Sequence, residues 1–348
     1  MIISKTYQTL FQTVADFAAK RGQRLFLVGG VVRDLLRGLP ALDEDVDFVV
    51  EGNAIEFAEE LQKISGGSLR KFTAFITAKI EQPSLFAHVR EIDFASARTE
   101  RYLTPGALPE VTPSKLEEDL GRRDFSVNAI ALEVKHVLEL MELTHCQQQE
   151  LEKRCFDLHA GIQDLRSKTL RVLHSRSFVD DPTRILRLAR YMIRLDAKPD
   201  TITEQLVGAA VDAKMLEVIS VQRFLTELRK VMEERDPWAI LTQLQAWKVT
   251  DAIDRLELES SKTVLARFFR LKAAALHVSA EVRYWLFLQC LVSADGVQTW
   301  AETLAPLGFK KQTLRVYADE LRACISCGEV VTSERVAALR EALDLARC

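Results

Sequence analysis

LVGGVVRDLLRGLPALDEDVDFVVEG, residues 27–52, is the stretch whose reading decides the fold. Its first half joins a short apolar strand, Leu25 to Val28, to a glycine pair and a helical segment from Gly30 to Gly38. Its second half carries Asp45 and Asp47 at the start of a valine- and phenylalanine-rich strand, Val46 to Val50. Strand residues two apart project from the same face, so these two carboxylates stand side by side. Like charges that close do not both ionise cheaply. A hard divalent cation resolves the conflict, because Mg²⁺ takes one or two carboxylates together with substrate phosphates. Gly29 and Gly30 let backbone amides approach an anion closely, and Arg33 adds a forked cationic donor. Neither G-x-x-x-x-G-K-[ST] nor G-x-G-x-x-G is present here. The stretch therefore reads as a phosphate-facing turn followed by a metal-binding pair. A solvated strand end with Asp43 and Glu44 beside it is the plainer alternative for the D-x-D alone.

Outward from this stretch, short strands and helices alternate through the first two hundred residues. Asn53 with Glu56 has the capping-box spacing of a helix start, and Gly66-Gly67 closes that helix after about Ile64. Further strands are expected over Leu69 to Ile80, in one or two pieces, over Phe86 to Ala95, and over Leu132 to Leu140, the last preceded by a helix-like RRDFSVNAIA. Beyond Pro199 amphipathic helical spacing dominates, in ITEQLVGAAVDAKMLEVI, VQRFLTELRKVMEE, AILTQLQAWKV and three later segments. The expected class is α+β: a head of mixed sheet and helices, then an all-helical neck, body and tail. The expected division is residues 1–150 for the head, 151–235 for the neck, and 236–348 for the body and tail.

Composition narrows the function classes. The chain has 348 residues, 48% of them hydrophobic and 28% charged, as in an ordinary soluble domain set. No apolar run approaches a membrane span, and MIISKTYQTLFQTVADFAAKRGQ reads as an amphipathic helix rather than a secretion signal. A cytoplasmic protein with no membrane partner is expected. The net charge of −3 argues against a general nucleic-acid coat but permits a local basic face. Of six cysteines only Cys324 and Cys327 form a C-x-x-C, with no second pair for a zinc site.

Two further constellations carry chemistry. Arg184, Arg187, Arg190 and Arg194 recur every three or four residues and form one stripe on a helix, which needs anions to meet it. Asp181 and Arg184 lie one turn apart. Aspartate accepts from an exocyclic amino group and arginine donates to a ring nitrogen or carbonyl. Cytosine and adenine both present that order; guanine and uracil do not. Asp93 lies near the end of another strand and is a candidate third carboxylate.

L-V-G-G-x-V-R-D followed by D-x-D resembles the first motif of polymerase-β-type nucleotidyltransferases. More narrowly it resembles the class II tRNA nucleotidyltransferases, or CCA-adding enzymes, and their poly(A) polymerase relatives. Gly121 to Ala129, GRRDFSVNA, is similar to the family's R-R-D-F-T-x-N-A. Asp157-Leu158 with Gly161 to Leu165 resembles its linking motif, and Asp180 to Arg184 its E-D-x-x-R motif, with aspartate for glutamate. Ser220 to Leu228 is similar to S-x-E-R-I-x-x-E, with Gln222 in the glutamate position.

The resemblance implies that CTP and ATP are added to the tRNA 3′ end without a template, giving CCA and releasing pyrophosphate. It implies Mg²⁺ on Asp45 and Asp47 as the catalytic carboxylates. Nucleotide contacts would come from Gly29, Gly30, Arg33, Arg123, Asp181, Arg184, Arg187 and Arg190. The helical body would bind tRNA in a monomer or weak homodimer. The same motifs admit a relative that adds only CC or only A, a poly(A) polymerase, or a non-catalytic RNA-binding module.

Overall fold

The sheet is built on the D-x-D strand. The structure is a computed structural model that describes residues 7–39, 45–86, 88–142 and 148–249. In chain order these residues form α1 (Gln8–Lys20), β1 (Arg24–Val28), α2 (Gly30–Leu36), β2 (Asp45–Glu51), α3 (Ala54–Ser65), β3 (Ser68–Phe72), β4 (Thr77–Glu81) and β5 (Glu91–Ser96). Next come β6 (Arg98–Arg101), β7 (Glu110–Pro113), α4 (Leu116–Gly121), β8 (Ile130–Glu133), α5 (Val134–Glu142), α6 (Gln148–Arg154), β9 (Cys155–Asp157), α7 (Gly161–Arg166), β10 (Thr169–Leu170) and α8 (Ser177–Asp180). Then follow α9 (Thr183–Leu195), β11 (Lys198–Pro199), α10 (Thr201–Asp212), α11 (Val221–Glu233) and α12 (Pro237–Ala246).

The chain divides into two compact units: residues 1–180 with 198–204, and residues 181–197 with 205–348. In the first unit a seven-stranded mixed sheet runs β3-β4-β5-β2-β1-β8-β9. β2 and β5 are parallel, and their neighbours are antiparallel. Period-two alternation sorts the strands into two faces. Leu25, Leu27, Val46, Phe48, Val50, Ile80, Ile92, Phe94, Ile130 and Leu132 point to one face and pack on α1, α2, α3 and α5. Phe48 and Phe94 stack there with ring centroids 5.4 Å apart. Each such fully buried side chain contributes about 1.5–3 kcal/mol by leaving water. The opposite face carries a smaller cluster of Phe26, Val28, Val49 and Ala131 against Leu116 and Leu120 of α4. Asp45 and Asp47 lie on this second face, because Val46 and Phe48 take the first.

Local signals explain most boundaries. The Asn53 side chain accepts from the amides of Ile55 and Glu56 and donates to the Glu56 carboxylate at 2.8 Å, and α3 stops at Gly66 with φ 70°. The Leu69–Ile80 strand forms as two pieces, paired as the hairpin β3–β4. Three expectations are corrected. The segment Leu132–Leu140 is a strand only to Glu133; Val134, Val137, Leu140 and Met141 are buried at helical spacing, and α5 begins there. RRDFSVNAIA is not a helix: α4 ends at Gly121, Ser126–Asn128 is a single 3-10 turn, and Ile130 opens β8. Phe86 sits in another 3-10 turn after Pro83, so β5 is confined to Glu91–Ser96, with strict alternation of burial.

In the second unit the described residues outside connecting turns are helical. α9, α11 and α12 pack on one another through Ile185, Leu188, Phe224, Leu228, Val231, Trp238 and Leu241, all buried. Ser220 caps α11, and Asp236 caps α12 ahead of Pro237. The three later helical segments, the Cys324–Cys327 pair and residues Asp43 and Glu44 lie outside the described residues. Among the described residues no helix is long and apolar enough to cross a membrane.

Candidate active site

Parallel pairing of β2 with β5 sets Asp45 opposite Glu91 and Asp47 opposite Asp93 in register. Antiparallel pairing of β5 with β4 sets Lys79 opposite Asp93. One row of the sheet therefore reads Lys79, Asp93, Asp47. Lys79 is ion-paired with Glu91, and its ammonium lies 3.1 Å from Asp93 Oδ2. Asp93 thus stands beside Asp47, and Lys79, which the sequence reading did not single out, completes the row.

The environment shifts both carboxyls upward. For Asp47 the surrounding protein desolvates the group, Asp45 and Glu91 repel its charge, and Arg123 and Lys79 oppose the rise. Asp93 is pushed up to about 7, first by burial, with Lys79 opposing and Asp47 and Glu91 adding repulsion. Asp45 makes a two-pronged ion pair with Arg90, Nε to Oδ1 at 3.1 Å. Arg90 is exposed, and an exposed pair of this kind contributes little and yields readily.

Among the described residues no group of three or more His, Cys, Asp or Glu is arranged to hold a metal ion. The donor chemistry fits a hard divalent ion bound in the other common way, by one or two carboxylates completed by substrate phosphates. Asp45 and Asp47 share a face with Asp93 beside Asp47, and burial makes the charge of Asp47 and Asp93 costly, a cost that a bound cation would offset.

The glycine turn faces the same region. Gly29 has φ 67° and ψ −124°, a conformation that side-chain-bearing residues rarely adopt, and its amide donates to Ile130 of β8. A β-carbon on Gly29 would lie 3.3 Å from Nη1 of Arg123. Arg123 is therefore laid along the turn while its charge acts on Asp47. Gly30 is exposed at the first residue of α2.

Arg33 is buried. Its side chain is 2% exposed; Nε and Nη2 donate to Asp34, and Nη1 donates to Asn128 Oδ1 at 2.7 Å. Asn128 in turn donates to Asp124, which also accepts from the amide of Phe125. Burial against these acceptors makes Arg33 a tie between α2 and the Ser126–Asn128 turn. Asp124 likewise holds Asn128 and the turn.

The linking motif is an anchor. Asp157 accepts from the amides of Gly161 and Ile162 at the start of α7. Asp164 accepts from Ser126 Oγ at 2.6 Å and from Arg171.

In the second unit Asp181 precedes α9. Its Oδ1 accepts from the Thr183 amide and hydroxyl, at 3.1 and 2.6 Å, and from Arg223 Nη2 at 2.8 Å. Arg184 is buried, one turn on. Arg187 is half-buried with its guanidinium 6.0 Å from the Tyr191 ring centroid.

Arg190 is held by two acids. It is 8% exposed, with Nη1 3.2 Å from Glu227 and Nη2 3.1 Å from Glu234. Arg194 is also paired with Glu234. The lower half of the arginine stripe is therefore met by Glu227 in the middle of α11 and by Glu234 just past its end. Glu227 and Glu234 stand seven apart, the signal that would have found them. Among the other cations of this unit, Arg223, Arg229 and Lys230 are paired with Asp181, Glu233 and Glu227.

Comparison with known proteins agrees with this architecture. Residues 25–171 match the family model described as the poly A polymerase head domain. The A-adding tRNA nucleotidyltransferase of Aquifex aeolicus is 37% identical over 276 residues, 78% of this chain and 31% of that protein. The multifunctional CCA protein of Xanthomonas campestris pv. campestris strain B100 is 35% identical over 234 residues, 64% of this chain and 48% of that protein. A solved tRNA nucleotidyltransferase, complexed with a primer tRNA and an incoming ATP analog, superposes with a TM-score of 0.64 at 30% identity, covering 95% of this chain and 91% of that one. The chain spans less than half the length of these two curated relatives.

The mixed sheet followed by helices matches the fold of that solved tRNA nucleotidyltransferase. The chain belongs to the tRNA nucleotidyltransferase and poly(A) polymerase family, a family of divalent-metal enzymes.

Proposed function

We propose that this chain adds or repairs the 3′-terminal CCA of tRNA from CTP and ATP, without a nucleic-acid template and with release of pyrophosphate. The observation that carries the reading is the row Lys79, Asp93, Asp47 beside Asp45, with Arg123 laid along the Gly29 turn, in a chain of this family. Asp45 and Asp47 are the metal-holding carboxylates, with Asp93 as a third acid at their side. The ion in this reading is Mg²⁺, which when bound lowers the pKa of the attacking hydroxyl and neutralises the leaving pyrophosphate.

The chain's own residues supply position and charge. Gly29 and Gly30 give close backbone approach to the triphosphate, and Arg123 supplies its cation. Arg33 holds the turn from behind. Asp181 accepts from the exocyclic amino group of cytosine or adenine, Arg184 donates to the ring acceptor beside it, and Arg187 lines that surface. Arg190 supports α9 from α11. The functional division is a catalytic head over 1–150, a selecting neck over 151–235, and a tRNA-binding body and tail over 236–348. The protein acts in the cytoplasm as a monomer or weak homodimer.

A second reading is addition of the terminal A alone. It draws on the likeness to the Aquifex aeolicus A-adding enzyme. The test uses three tRNA transcripts, ending at the discriminator base, at C and at CC, each with Mg²⁺ and one labelled nucleotide. CTP extending the first two and ATP the third supports full CCA addition. Incorporation of ATP alone moves the assignment to the A-adding reading. Long A-tails on any RNA point to poly(A) polymerase, and no incorporation removes the enzyme reading.

A further inference from the structure

We propose that Asp119 is a positioning residue for nucleotide binding, which acts by aiming Arg123 at the Gly29 turn. The inference rests on the nucleotidyltransferase reading above and assigns a residue that the sequence motifs did not single out.

Asp119 is fully buried near the end of α4. A buried carboxylate is costly unless every lone pair finds a donor. Here its two oxygens are divided. Oδ1 accepts from Arg122 Nε at 2.9 Å and Nη2 at 2.7 Å, and from the Arg98 amide at 3.3 Å. Oδ2 accepts from Arg123 Nη2 at 2.8 Å. The spacing is i to i+3 and i+4, the two positions that a helical side chain reaches past its own turn.

The two arginines are then held differently. Arg122 has a second carboxylate: Glu100 of β6 accepts from its Nη1 at 2.7 Å. Glu100 also takes Arg98 and the Tyr102 hydroxyl, so Arg122 is closed off inside a cluster. Arg123 is held at one corner of its fork by Asp119. Its Nε is buried without a hydrogen-bond partner among the described residues, and its Nη1 lies against Gly29. Three guanidinia, those of Arg98, Arg122 and Arg123, face two carboxylates, those of Asp119 and Glu100. Of the three, Arg123 is the one whose charge acts on Asp47, on the side where an anionic triphosphate would sit.

A guanidinium is a rigid plane, so fixing one nitrogen through a buried acceptor also fixes where the others point. Loss of Asp119 leaves the charge of Arg123 in the protein but releases its direction. Misplacing a binding group by about 1 Å costs on the order of 10–100-fold.

The test is a double-mutant cycle on the full chain: Asp119→Asn, Arg123→Ala and the pair. It reads ATP and CTP binding by equilibrium dialysis, KM and kcat on the tRNA transcripts, and thermal melting. Asp119→Asn should weaken nucleotide binding and raise nucleotide KM about tenfold or more, with a smaller change in kcat. In the Arg123→Ala background it should add nothing to either. Asp119→Glu keeps the charge and moves the carboxylate by one methylene; it provides the same reading where the asparagine variant does not fold, with a raised KM expected at near-normal melting temperature. A lower melting temperature with unchanged nucleotide binding per folded molecule, or additive effects in the double variant, overturns the proposal. Wild-type protein that binds neither nucleotide overturns the functional reading instead.

Discussion

Asp47 and Asp93 are register partners across the parallel β2–β5 pair, side by side on the sheet face opposite α1, α2, α3 and α5. They do not have the same surroundings. Lys79 compensates Asp93 directly, whereas Asp47 stands beside Asp45. Removing Asp47 should therefore cost more than removing Asp93. Asp47→Asn is expected to lower the single-turnover rate of nucleotide addition by at least ~10³-fold, several kcal/mol of transition-state charge stabilisation. Asp93→Asn should lower it by roughly tenfold, the value of one less critical charge. Equal losses in the two variants would mean that both carboxylates are direct metal ligands of the same importance.

Asp181 and Arg184 test base selection separately from chemistry. Asp181→Ala removes the proposed acceptor for the exocyclic amino group and also takes one acceptor from Arg223 and Thr183. Discrimination of CTP and ATP over UTP and GTP should fall by about 10- to 100-fold, the value of one lost or unmatched hydrogen bond of ~1–3 kcal/mol. Competition between labelled nucleotides at a fixed primer reads this ratio. A uniform slowing with the ratio intact would assign Asp181 to holding α9 only.

Asp119 also gives a pH dependence of stability. Burial alone would raise its carboxyl, but Arg123 and Arg122 outweigh that cost and hold it below the ordinary carboxylate value. A carboxyl depressed in the folded state contributes stability that is complete above its unfolded pKa and is lost as pH falls through its folded one. The wild-type melting temperature should therefore fall more steeply than that of Asp119→Asn as pH drops below ~4. The two curves should run parallel from pH 6 to 8. Melting scans across that range decide it.

The division between what was legible in the sequence and what was not follows the range of the interactions. Asp45 and Asp47 were readable because strand alternation is a period-two rule that needs no partner. Asn53 and Glu56 were readable because a cap is made within four residues. The RRDFSVNAIA segment misled because its backbone is set by distant contacts: Asn128 accepts from Arg33, and Ser126 donates to Asp164. The partners of Arg33 and Arg190 were hidden for the same reason: Asn128 lies 95 residues from Arg33, and Glu227 37 from Arg190. Lys79 carried no signal at all, since its role comes only from the register of β4 on β5.

Gly161 shows how closely the linking motif approaches the turn that Arg33 and Asn128 hold. A β-carbon there would lie 2.2 Å from the Ser126 carbonyl oxygen and 2.8 Å from Ile130 Cγ1. The first of these is backbone and cannot swing aside. Gly161→Ala should lose about 1–3 kcal/mol or more through overpacking. It should also raise nucleotide KM, because Ser126–Asn128 moves with it. Denaturant unfolding and initial rates on the same preparation check both effects. A variant as stable as wild type would mean that α7 can shift away from the turn at no cost.

Arg190 gives the sharpest test of the arginine stripe. It is buried between Glu227 and Glu234, and Lys230 and Arg194 also reach those two acids. Arg190→Met keeps the length and apolar stem of the side chain and removes the charge. It leaves two buried carboxylates under-compensated, and breaking a buried pair from one side costs roughly 3–5 kcal/mol. The remaining partners Lys230 and Arg194 should hold the loss toward the lower end of that range. If Arg190 acts only by clasping α9 to α11, nucleotide KM per folded molecule should stay within about twofold of wild type at a temperature well below the lowered melting point. Replacing Glu227 by Gln in the same chain should then recover part of the lost stability, since one uncompensated charge is removed with the other. A direct nucleotide contact predicts the reverse pattern: KM for both CTP and ATP would rise at little cost in stability, and Glu227→Gln would not restore either.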